Sequence, residues 1–297
     1  MLIQQITIVG TGLIGGSLGL ALRQHGFQGK IVGCDKPEVL EVAVTRGAID
    51  RGGTDLKQAA RDSDLVVLAT PVGAFLSLFE KLAPTLPLAT LITDTGSTKQ
   101  QFAERARMVF GAAAAERVLP GHPMAGKELG GIENADPALF RGVVWLITPI
   151  GIDQPQTARQ REYIELLESI GARVITIDPE RHDRLCAWIS HLPQMISTAL
   201  ASLLREELGD EKAVAQIGGR ALQEMTRIAH SPYSMWRDIA LTNSENLEEA
   251  VLRYEQQLAH LRENLRGPGL RELFENANQF GRGPGTGQHD VAGKRSG

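Results

Sequence analysis

Two short polar segments carry side chains that suit proton transfer. His122 lies in Gly121-His-Pro-Met-Ala-Gly126, between a glycine and a proline, where a histidine of the core is less expected. Neutral imidazole near pH 7 is a suitable proton acceptor. Ser97, in Thr93-Asp-Thr-Gly-Ser-Thr-Lys99, offers a hydroxyl, and Lys99 an ammonium, although a serine here could also cap a helix. We expect a functional role first for His122 and then for Ser97 and Lys99.

A third segment, Gly10-Thr-Gly-Leu-Ile-Gly15, has the spacing of a loop that binds a pyrophosphate. It lies between a strand and a helix, and its glycines permit a tight turn, close approach of a ligand and close helix–strand packing. Asp35 follows at the end of the next strand, where a carboxylate accepts hydrogen bonds from ribose hydroxyls. We expect NAD as the cofactor, because Asp35 would repel the 2′-phosphate of NADP, although Lys36 beside it could hold one.

These groups need a frame, and the first part of the chain alternates apolar strands with helices. Strands are predicted over 3–9, 31–35, 65–69, 91–94, 118–121, 143–148 and 172–177, and helices over 13–25, 39–46 and 158–170. Such runs are typical of a parallel sheet covered on both faces. We therefore expect an α/β, doubly wound, Rossmann-like domain over 1–179. Ligands bind outside the carboxyl ends of its strands, where Thr70, Pro71, Ser97 and His122 are predicted to lie.

The second part of the chain shows helical periodicity. A helical domain is expected over 180–280, with one helix from 187 to at least 203 and others over 213–229, 233–241 and 243–265. Residues 281–297 are rich in Gly and Pro and are expected to form a disordered tail. His182-Asp183 is expected to mark only the start of a helix, because Asp is favoured near a helix N-terminus.

Bulk properties exclude several classes of protein. A formal net charge of −4 over 297 residues does not indicate the basic stripe of a nucleic-acid-binding protein. There is no apolar run of the length that a membrane span needs. Cys34 and Cys186 form neither a disulfide framework nor a metal-binding spacing. We expect a cytoplasmic enzyme without a metal, acting on a small molecule, and with no nucleic-acid or membrane partner.

The order of the motifs resembles that of the prephenate/arogenate dehydrogenase family of tyrosine biosynthesis. The matching segments are Gly10-Thr-Gly-Leu-Ile-Gly-Gly-Ser17, Thr93-Asp-Thr-Gly-Ser-Thr-Lys99, Gly121-His-Pro-Met-Ala-Gly126, Leu139-Phe140 with Leu146-Ile-Thr-Pro149, His182-Asp183, Ser190-His-Leu-Pro193, Thr226-Arg-Ile-Ala229 and Met235-Trp-Arg-Asp238. The resemblance implies NAD-dependent oxidative decarboxylation of prephenate or arogenate by a homodimer whose helical domains interlock.

The resemblance also implies roles for particular residues. His122 is expected to accept the proton of the substrate hydroxyl, and Ser97 to support it by hydrogen bonding. The other expected substrate-binding residues are Arg227 for the ring carboxylate, His191 in the pocket wall, Glu128 at the substrate entry, Trp236 near the neighbouring subunit, Gln194 and Glu224. The expected cofactor-binding residues are Gly10, Thr11, Gly12, Leu13, Ile14, Gly15, Asp35, Thr70, Pro71 and Ser97.

Two departures from the family pattern leave the substrate open. Relatives often carry a histidine where this chain has Gln194, and an aspartate where it has Glu224. A carboxylate near the substrate side chain would favour the ammonium of arogenate, and a neutral or basic group would favour prephenate, which we expect.

Two other classes of function share parts of this pattern. A β-hydroxyacid-type dehydrogenase would need a catalytic lysine in the helical domain, where Lys212 lies in a charged segment. A non-catalytic NAD-sensing module would need the glycine loop but neither His122 with Ser97 nor Arg227.

Overall fold

The computed structural model describes residues 1–126, 129–151, 154–209 and 212–281. Within these ranges the strands are β1 (Gln5–Val9), β2 (Lys30–Cys34), β3 (Arg51–Gly53), β4 (Leu65–Leu68), β5 (Leu91–Asp94), β6 (Gly121–Pro123), β7 (Val144–Ile147) and β8 (Arg173–Thr176). The helices are α1 (Leu13–Gln24), α2 (Pro37–Thr45), α3 (Leu56–Ala60), α4 (Val72–Leu82), α5 (Gln100–Phe110), α6 (Ala114–Arg117), α7 (Ala158–Ser169), α8 (Pro179–Cys186), α9 (Leu192–Leu208), α10 (Lys212–Ile217), α11 (Arg220–Thr226), α12 (Tyr233–Thr242), α13 (Ser244–Glu263) and α14 (Gly269–Gly281).

The first sheet has the strand order β3-β2-β1-β4-β5, and all its strands run parallel. Strands β1, β4 and β5 are buried throughout, as their aliphatic and β-branched sequences predict. The strand order reverses between β1 and β4, and folds of this class bind ligands outside the carboxyl ends of the strands at such a point. Gly10 follows β1, Asp35 follows β2 and Thr70 follows β4, so these predicted residues meet at one edge. The predicted α/β, Rossmann-like class is confirmed.

Residues 118–121 do not form the strand that the sequence predicts. Val118 makes a single parallel bridge to Ile92 of β5. Pro120 follows and has no N–H to donate, which prevents the pairing from continuing. The chain then enters β6, which runs antiparallel to β7, while β7 and β8 are parallel. The predicted strands therefore divide into a five-stranded and a three-stranded sheet, with His122 at the centre of β6.

From α8 onward the described chain is helical, as predicted. A π-helical segment, Ala187–His191, joins α8 to α9 and carries part of the Ser-His-Leu-Pro motif. The helix predicted over 213–229 is divided between α10 and α11 at Gly218 and Gly219, because glycine is a poor helix former. The sequence indicated neither α14 nor β3, whose Arg-Gly-Gly sequence lacks apolar and β-branched residues.

By internal contacts the chain groups into two compact units, Met1–Leu247 and the residues from Glu248 onward. The boundary at 179/180 between a dinucleotide-binding and a helical domain stays a prediction. Of the tail predicted over 281–297, only Gly281 lies within the described residues, as the last residue of α14, and the tail stays a prediction. Among the helices described, none combines the length and the apolar character needed to cross a membrane.

Candidate active site at the carboxyl edge of the sheet

The glycine loop between β1 and α1 brings the backbone close to a potential ligand. Gly10 has a φ of +90°, and a Cβ there would lie 2.6 Å from the carbonyl oxygen of Ala69. A Cβ at Gly15 would lie 2.0 Å from the carbonyl oxygen of Gly10, so both positions require glycine. A Cβ at Gly12 would meet no described atom within 4 Å. The open side of the loop thus lies at the N-terminus of α1, where backbone N–H groups favour a phosphate.

Asp35, the residue after β2, is tied to this loop. Its Oδ2 accepts from the backbone N–H of Thr11 at 2.7 Å, and its Oδ1 from that of Lys36 at 2.8 Å. The hydroxyl of Thr11 also donates to Oδ2, at 3.3 Å. A carboxylate has about four acceptor positions, so Asp35 keeps capacity for a ribose hydroxyl. Leu13 is buried and Ile14 half-buried at the start of α1, which leaves mainly their backbone N–H groups for a ligand.

His122 is held beside the carboxyl end of β5. The N–H of Gly121 donates to Asp94 at 3.2 Å, and the carbonyl oxygen of Gly121 accepts from Lys99 Nζ at 2.7 Å. His122 is 7% exposed, and its Nδ1 lies 2.9 Å from Nε2 of His182 on α8. Burial lowers the pKa of His122 well below its usual value, and His182 and Lys99 act in the same direction. His122 is therefore a neutral imidazole near pH 7.

Lys99 anchors two strands. Its side chain is fully buried, where the ammonium pairs with Asp94 and donates to the carbonyl oxygen of Gly121. Burial lowers the pKa of this ammonium, and the charge of Asp94 opposes the shift. Lys99 therefore joins β5 to β6 at the residue next to His122, and its ammonium is paired within the protein.

His182 and Asp183 belong to this site, although the sequence suggested only a helix start. Helix α8 begins at Pro179, and Asp178 caps it by accepting from two backbone N–H groups. His182 and Asp183 lie beyond the first turn, and both are fully buried. Nδ1 of His182 lies 2.7 Å from Oδ1 of Asp183. The signal available in the sequence was a second aspartate, next to a histidine, in a helix that already had its cap.

Ser97 does not cap α5, which was the alternative to a catalytic role. The two backbone N–H groups that begin this helix donate to the carboxylate of Asp183, at 2.7 and 2.9 Å. The hydroxyls of Thr98 and Thr242 share a hydrogen bond of 2.8 Å, which joins the same loop to α12. Ser97 is half-buried in this anchored loop, and its catalytic and cofactor-binding roles stay predictions.

Among the described residues, the buried polar atoms without a hydrogen-bond partner include Oγ1 of Thr70, Nε2 of His191 and Nε1 of Trp236. His191 is fully buried, and its ring meets that of Trp236 edge to face with centroids 5.9 Å apart. Burial lowers the pKa of His191 to about 4. Buried polar groups normally have a partner, so these atoms are candidates for contacts with a bound molecule. Pro71, beside Thr70, is exposed.

Gln194, predicted to bind substrate, has its amide engaged within the protein. Its Nε2 donates to the carbonyl oxygen of Ile228 at 2.8 Å, and its Oε1 accepts from Ser231 at 3.2 Å. These contacts hold the 3₁₀-helical segment Arg227–His230 against α9. Gln194 therefore supports the segment that carries Arg227.

The other predicted substrate residues lie in different surroundings. Arg227 and Glu224 are exposed, unlike His122 and His191. Glu128 lies outside the described residues. The structure thus groups His122 with His182 and Asp183, and His191 with Trp236, while Arg227 and Glu224 lie at the surface of the described chain.

Cys186 adjoins the two histidines. Its Sγ lies 3.6 Å from Nε2 of His182, and together with a nitrogen of His122 these atoms lie within 4.8 Å of one another, a spacing open to a metal ion. However, Nε2 of His182 is engaged with His122 and its Nδ1 with Asp183, so a metal ion at this spacing would have to break one of these bonds. We therefore interpret these residues as a hydrogen-bonded cluster. The absence of a metal stays a prediction.

A parallel sheet whose first turn is a glycine loop, with a neutral histidine in the same site, defines the class of protein: a nicotinamide-dependent dehydrogenase. Comparison with known families narrows this class. A family model described as prephenate dehydrogenase, nucleotide-binding domain, matches residues 18–176, and one described as prephenate dehydrogenase, dimerization domain, matches residues 178–279. The chain belongs to the prephenate dehydrogenase family.

Individual relatives agree with this assignment. A prephenate dehydrogenase from Lactococcus lactis is 30% identical over 256 residues, which cover 86% of this chain and 69% of that protein. A crystal structure of prephenate dehydrogenase from A. aeolicus with hydroxyphenyl propionate and NAD+ is 33% identical, with a TM-score of 0.83 over 93% of this chain and 96% of that one. An arogenate dehydrogenase from Synechocystis is 30% identical, with a TM-score of 0.75 over 93% and 98%. The predicted family and enzyme class are confirmed.

Proposed function

We propose that this protein catalyses the NAD-dependent oxidative decarboxylation of prephenate to 4-hydroxyphenylpyruvate, a step of tyrosine biosynthesis. The observation that carries the proposal is His122, a buried neutral imidazole held beside the carboxyl end of β5. Prephenate has a ring carboxylate and, across the ring, a carbon that bears a hydroxyl. Its oxidation needs a hydride acceptor, a proton acceptor at that hydroxyl and a cation for the carboxylate.

The residues of the glycine loop fit NAD. Gly12 is open toward a ligand, and no side chain of the described residues caps the N-terminus of α1, which begins at Leu13. Asp35 is placed after β2 with acceptor capacity for ribose hydroxyls. The buried hydroxyl of Thr70 next to Gly10 adds a polar contact. NAD, when bound, accepts the hydride of the substrate.

His122 accounts for the proton. It takes the proton of the substrate hydroxyl while the carbon loses its hydride, so a carbonyl forms. The bond between ring and carboxylate then breaks, CO₂ leaves, and the electron pair of that bond makes the ring aromatic, with negative charge on the oxygen. The proton held by His122 returns to this oxygen. Protons and electrons balance, and Ser97 supports the hydroxyl by hydrogen bonding.

A guanidinium is well suited to bind the ring carboxylate of the substrate, and we assign this role to Arg227. A guanidinium binds a carboxylate in a bidentate fork. Gln194 supports the segment that carries Arg227 through its bond to Ile228. His191 and Trp236 offer the unpartnered Nε2 and Nε1 as further contacts to the substrate.

We favour prephenate, with arogenate as the alternative. Gln194 is neutral, and its amide is engaged with Ile228 and Ser231, so it supplies no charge to hold the ammonium of arogenate. Glu224 does carry a carboxylate, and a carboxylate near the substrate side chain would favour arogenate. Glu128, assigned to the substrate entry, lies outside the described residues and stays a prediction.

The test is a specificity assay that follows the absorbance of the reduced nicotinamide. Prephenate and arogenate are each supplied with NAD and with NADP. We expect the highest kcat/KM with prephenate and NAD. Turnover of arogenate but not of prephenate would make arogenate the substrate. Absence of turnover with both would refute the proposed function in favour of a β-hydroxyacid-type enzyme or a non-catalytic NAD-binding module.

We also propose a homodimer formed through the helical part of the chain. Large apolar side chains are exposed on these helices, including Ile189, Leu203, Ile217 and Leu241. The match of residues 178–279 to the family model described as a dimerization domain supports this proposal, and an interface would cover such side chains. Light scattering is expected to give twice the mass of the chain. Because both cysteines are free and buried, we further propose a cytoplasmic location.

A further inference from the structure

Two buried side chains next to His122 have no part in the proposed function so far. His182 and Asp183 are both fully buried on α8. Nε2 of His182 lies 2.9 Å from Nδ1 of His122, and Nδ1 of His182 lies 2.7 Å from Oδ1 of Asp183. The three side chains form a continuous chain of hydrogen bonds. The inference drawn from this chain rests on the proposed role of His122 as proton acceptor.

Asp183 is the fixed end of this chain. Its Oδ1 accepts from the backbone N–H of Lys99 at 2.7 Å, and its Oδ2 from that of Gln100 at 2.9 Å. Its own carbonyl oxygen accepts from Asn243 at 2.8 Å. The carboxylate thus lies at the N-terminus of α5, which favours negative charge. It can move little relative to His182.

The directions of the hydrogen bonds follow from this end. A carboxylate that receives N–H groups acts only as an acceptor, so His182 must donate from Nδ1. Burial lowers the pKa of His182, so its ring is neutral and its Nε2 carries a lone pair. His122 must therefore donate from its own Nδ1. The remaining nitrogen of His122, Nε2, is left unprotonated.

We propose that His182 and Asp183 are positioning residues that hold His122 in the tautomer with the proton on Nδ1 and the lone pair on Nε2. Nε2 then receives the proton of the substrate hydroxyl. The imidazolium that forms still donates from Nδ1 to His182, and Asp183 stabilises this charge through His182. No covalent bond of His182 or Asp183 forms or breaks in this process.

The other groups that face these two histidines do not supply this orientation. Lys99 directs its ammonium to the buried carboxylate of Asp94. His191 has its Nδ1 3.3 Å from a side-chain amide. Sγ of Cys186 lies 3.6 Å from Nε2 of His182, a distance that suits a hydrogen bond donated by the thiol. Such a bond requires the same lone pair on Nε2 of His182 and leaves the direction of the chain unchanged.

Asp183→Asn tests the proposal with little change in side-chain size. Asparagine offers one oxygen and one amino group. With the oxygen at the Oδ1 position it keeps the bonds from Lys99 and His182 but sets its amino group against the N–H of Gln100; in the flipped orientation it keeps the bond from Gln100 and sets the amino group against His182. In both orientations the negative charge that stabilises the imidazolium is lost, and in the flipped one the tautomer of His122 is no longer imposed. We expect kcat to fall at least about 100-fold, since the same change behind the histidine of a serine protease lowers kcat by about 10⁴. The substrate KM and the NAD dissociation constant are expected to change little.

Asp238→Asn is the control, because Asp238 also accepts at the start of a helix but bonds to no histidine among the described residues. Its Oδ2 accepts from the N–H of Gly73 at the start of α4, at 2.9 Å, and its Oδ1 accepts from the exposed Arg237 at 2.8 Å. Both variants are expected to lower Tm to a similar extent. Only Asp183→Asn is expected to lower kcat strongly and to change the pH profile. If both variants lowered kcat slightly and to the same extent, Asp183 would act only as a helix cap, and the proposal would be overturned.

Nitrogen NMR of histidine-labelled wild-type protein measures the tautomer without any substrate. The signals of His122 are assigned with His122→Asn. We expect a protonated Nδ1 and an unprotonated Nε2, and a mixture of tautomers in Asp183→Asn or, if that variant does not fold, in His182→Gln. The opposite tautomer in the wild type would overturn the inference. Absence of turnover with prephenate would instead refute the proposed function and leave the tautomer result standing.

Discussion

The glycine loop and the histidine site are built in opposite ways. The loop consists of consecutive residues, and its form depends on Gly10 and Gly15, where a Cβ would strike nearby backbone. The histidine site joins His122 of β6 to His182 of α8 across 60 positions of the chain. Backbone sterics decide the first site, and packing between distant elements decides the second.

The same contrast appears at the helix N-termini along this edge. Asp183 receives the N–H groups that begin α5, and Asp238 receives one at the start of α4. The N-terminus of α1 has no such side-chain cap within the described residues. Side chains of α8 and α12 thus accept from backbone N–H groups at the N-termini of α5 and α4. The N–H groups at the start of α1 stay available for the phosphates of a cofactor. The two sites should therefore respond independently to mutation.

The largest expected effect is that of His122→Asn. Loss of the proton acceptor is expected to lower kcat by about 10²–10⁴-fold. The NAD dissociation constant is expected to stay near that of the wild type, because the glycine loop is built separately. Steady-state kinetics and calorimetric titration with NAD measure the two quantities. A loss of NAD binding as large as the loss of turnover would contradict the separation of the sites.

Lys99→Met tests the anchor beneath the histidine site. It leaves the buried carboxylate of Asp94 without its cation, and breaking a buried pair in this way costs about 3–5 kcal/mol. Chemical denaturation is expected to show this loss in the free energy of unfolding. Lys81→Met, at an exposed position of α4, is the control and is expected to change stability little. Equal stability of the two variants would show that the buried pair does not hold β5 to β6.

Asp35→Ser tests the cofactor site at the glycine loop. Loss of a charged acceptor for the ribose, worth about 1.5–3 kcal/mol, is expected to weaken NAD at least about tenfold. NADP should bind better because the repulsion of its 2′-phosphate is removed. The kcat at saturating NAD should stay near the wild-type value. Unchanged preference between NAD and NADP would show that Asp35 does not reach the ribose, and Lys36→Ala tests whether that cation holds residual NADP.

The smallest expected effect is on the pH dependence. Because burial lowers the pKa of His122, its neutral form persists below the usual histidine pKa of about 6.5. The acid limb of kcat/KM is therefore expected below pH 6.5. Unfolding lets His122 and His182 take up protons that the fold excludes, so stability should fall as the pH drops below 6.5. An acid limb centred above 6.5 would contradict the burial of the base.

Much of the fold was predictable because buried parallel strands have a local signature. Strand β5 has the predicted bounds, and β1, β2 and β4 differ from them by one or two residues. The predicted strand at 118–121 is wrong, since its apolar residues resemble a strand while Pro120 prevents continued pairing. The apolar periodicity over 213–229 predicts a single helix, whereas the structure divides it into α10 and α11 at the glycines 218 and 219.

The candidate site divides along the same line. The glycine loop, Asp35 and the importance of His122 could be inferred from the sequence, because φ restrictions, motif spacing and residue chemistry are properties of short segments. The partners of His122 could not, because Asp183 and His182 act through hydrogen bonds to elements far away in the chain. The sequence by itself therefore determined the cofactor loop and the residue that accepts the proton. Only the tertiary structure decided which nitrogen of His122 is left to accept it, because the direction of a hydrogen-bond chain depends on the buried carboxylate at its far end.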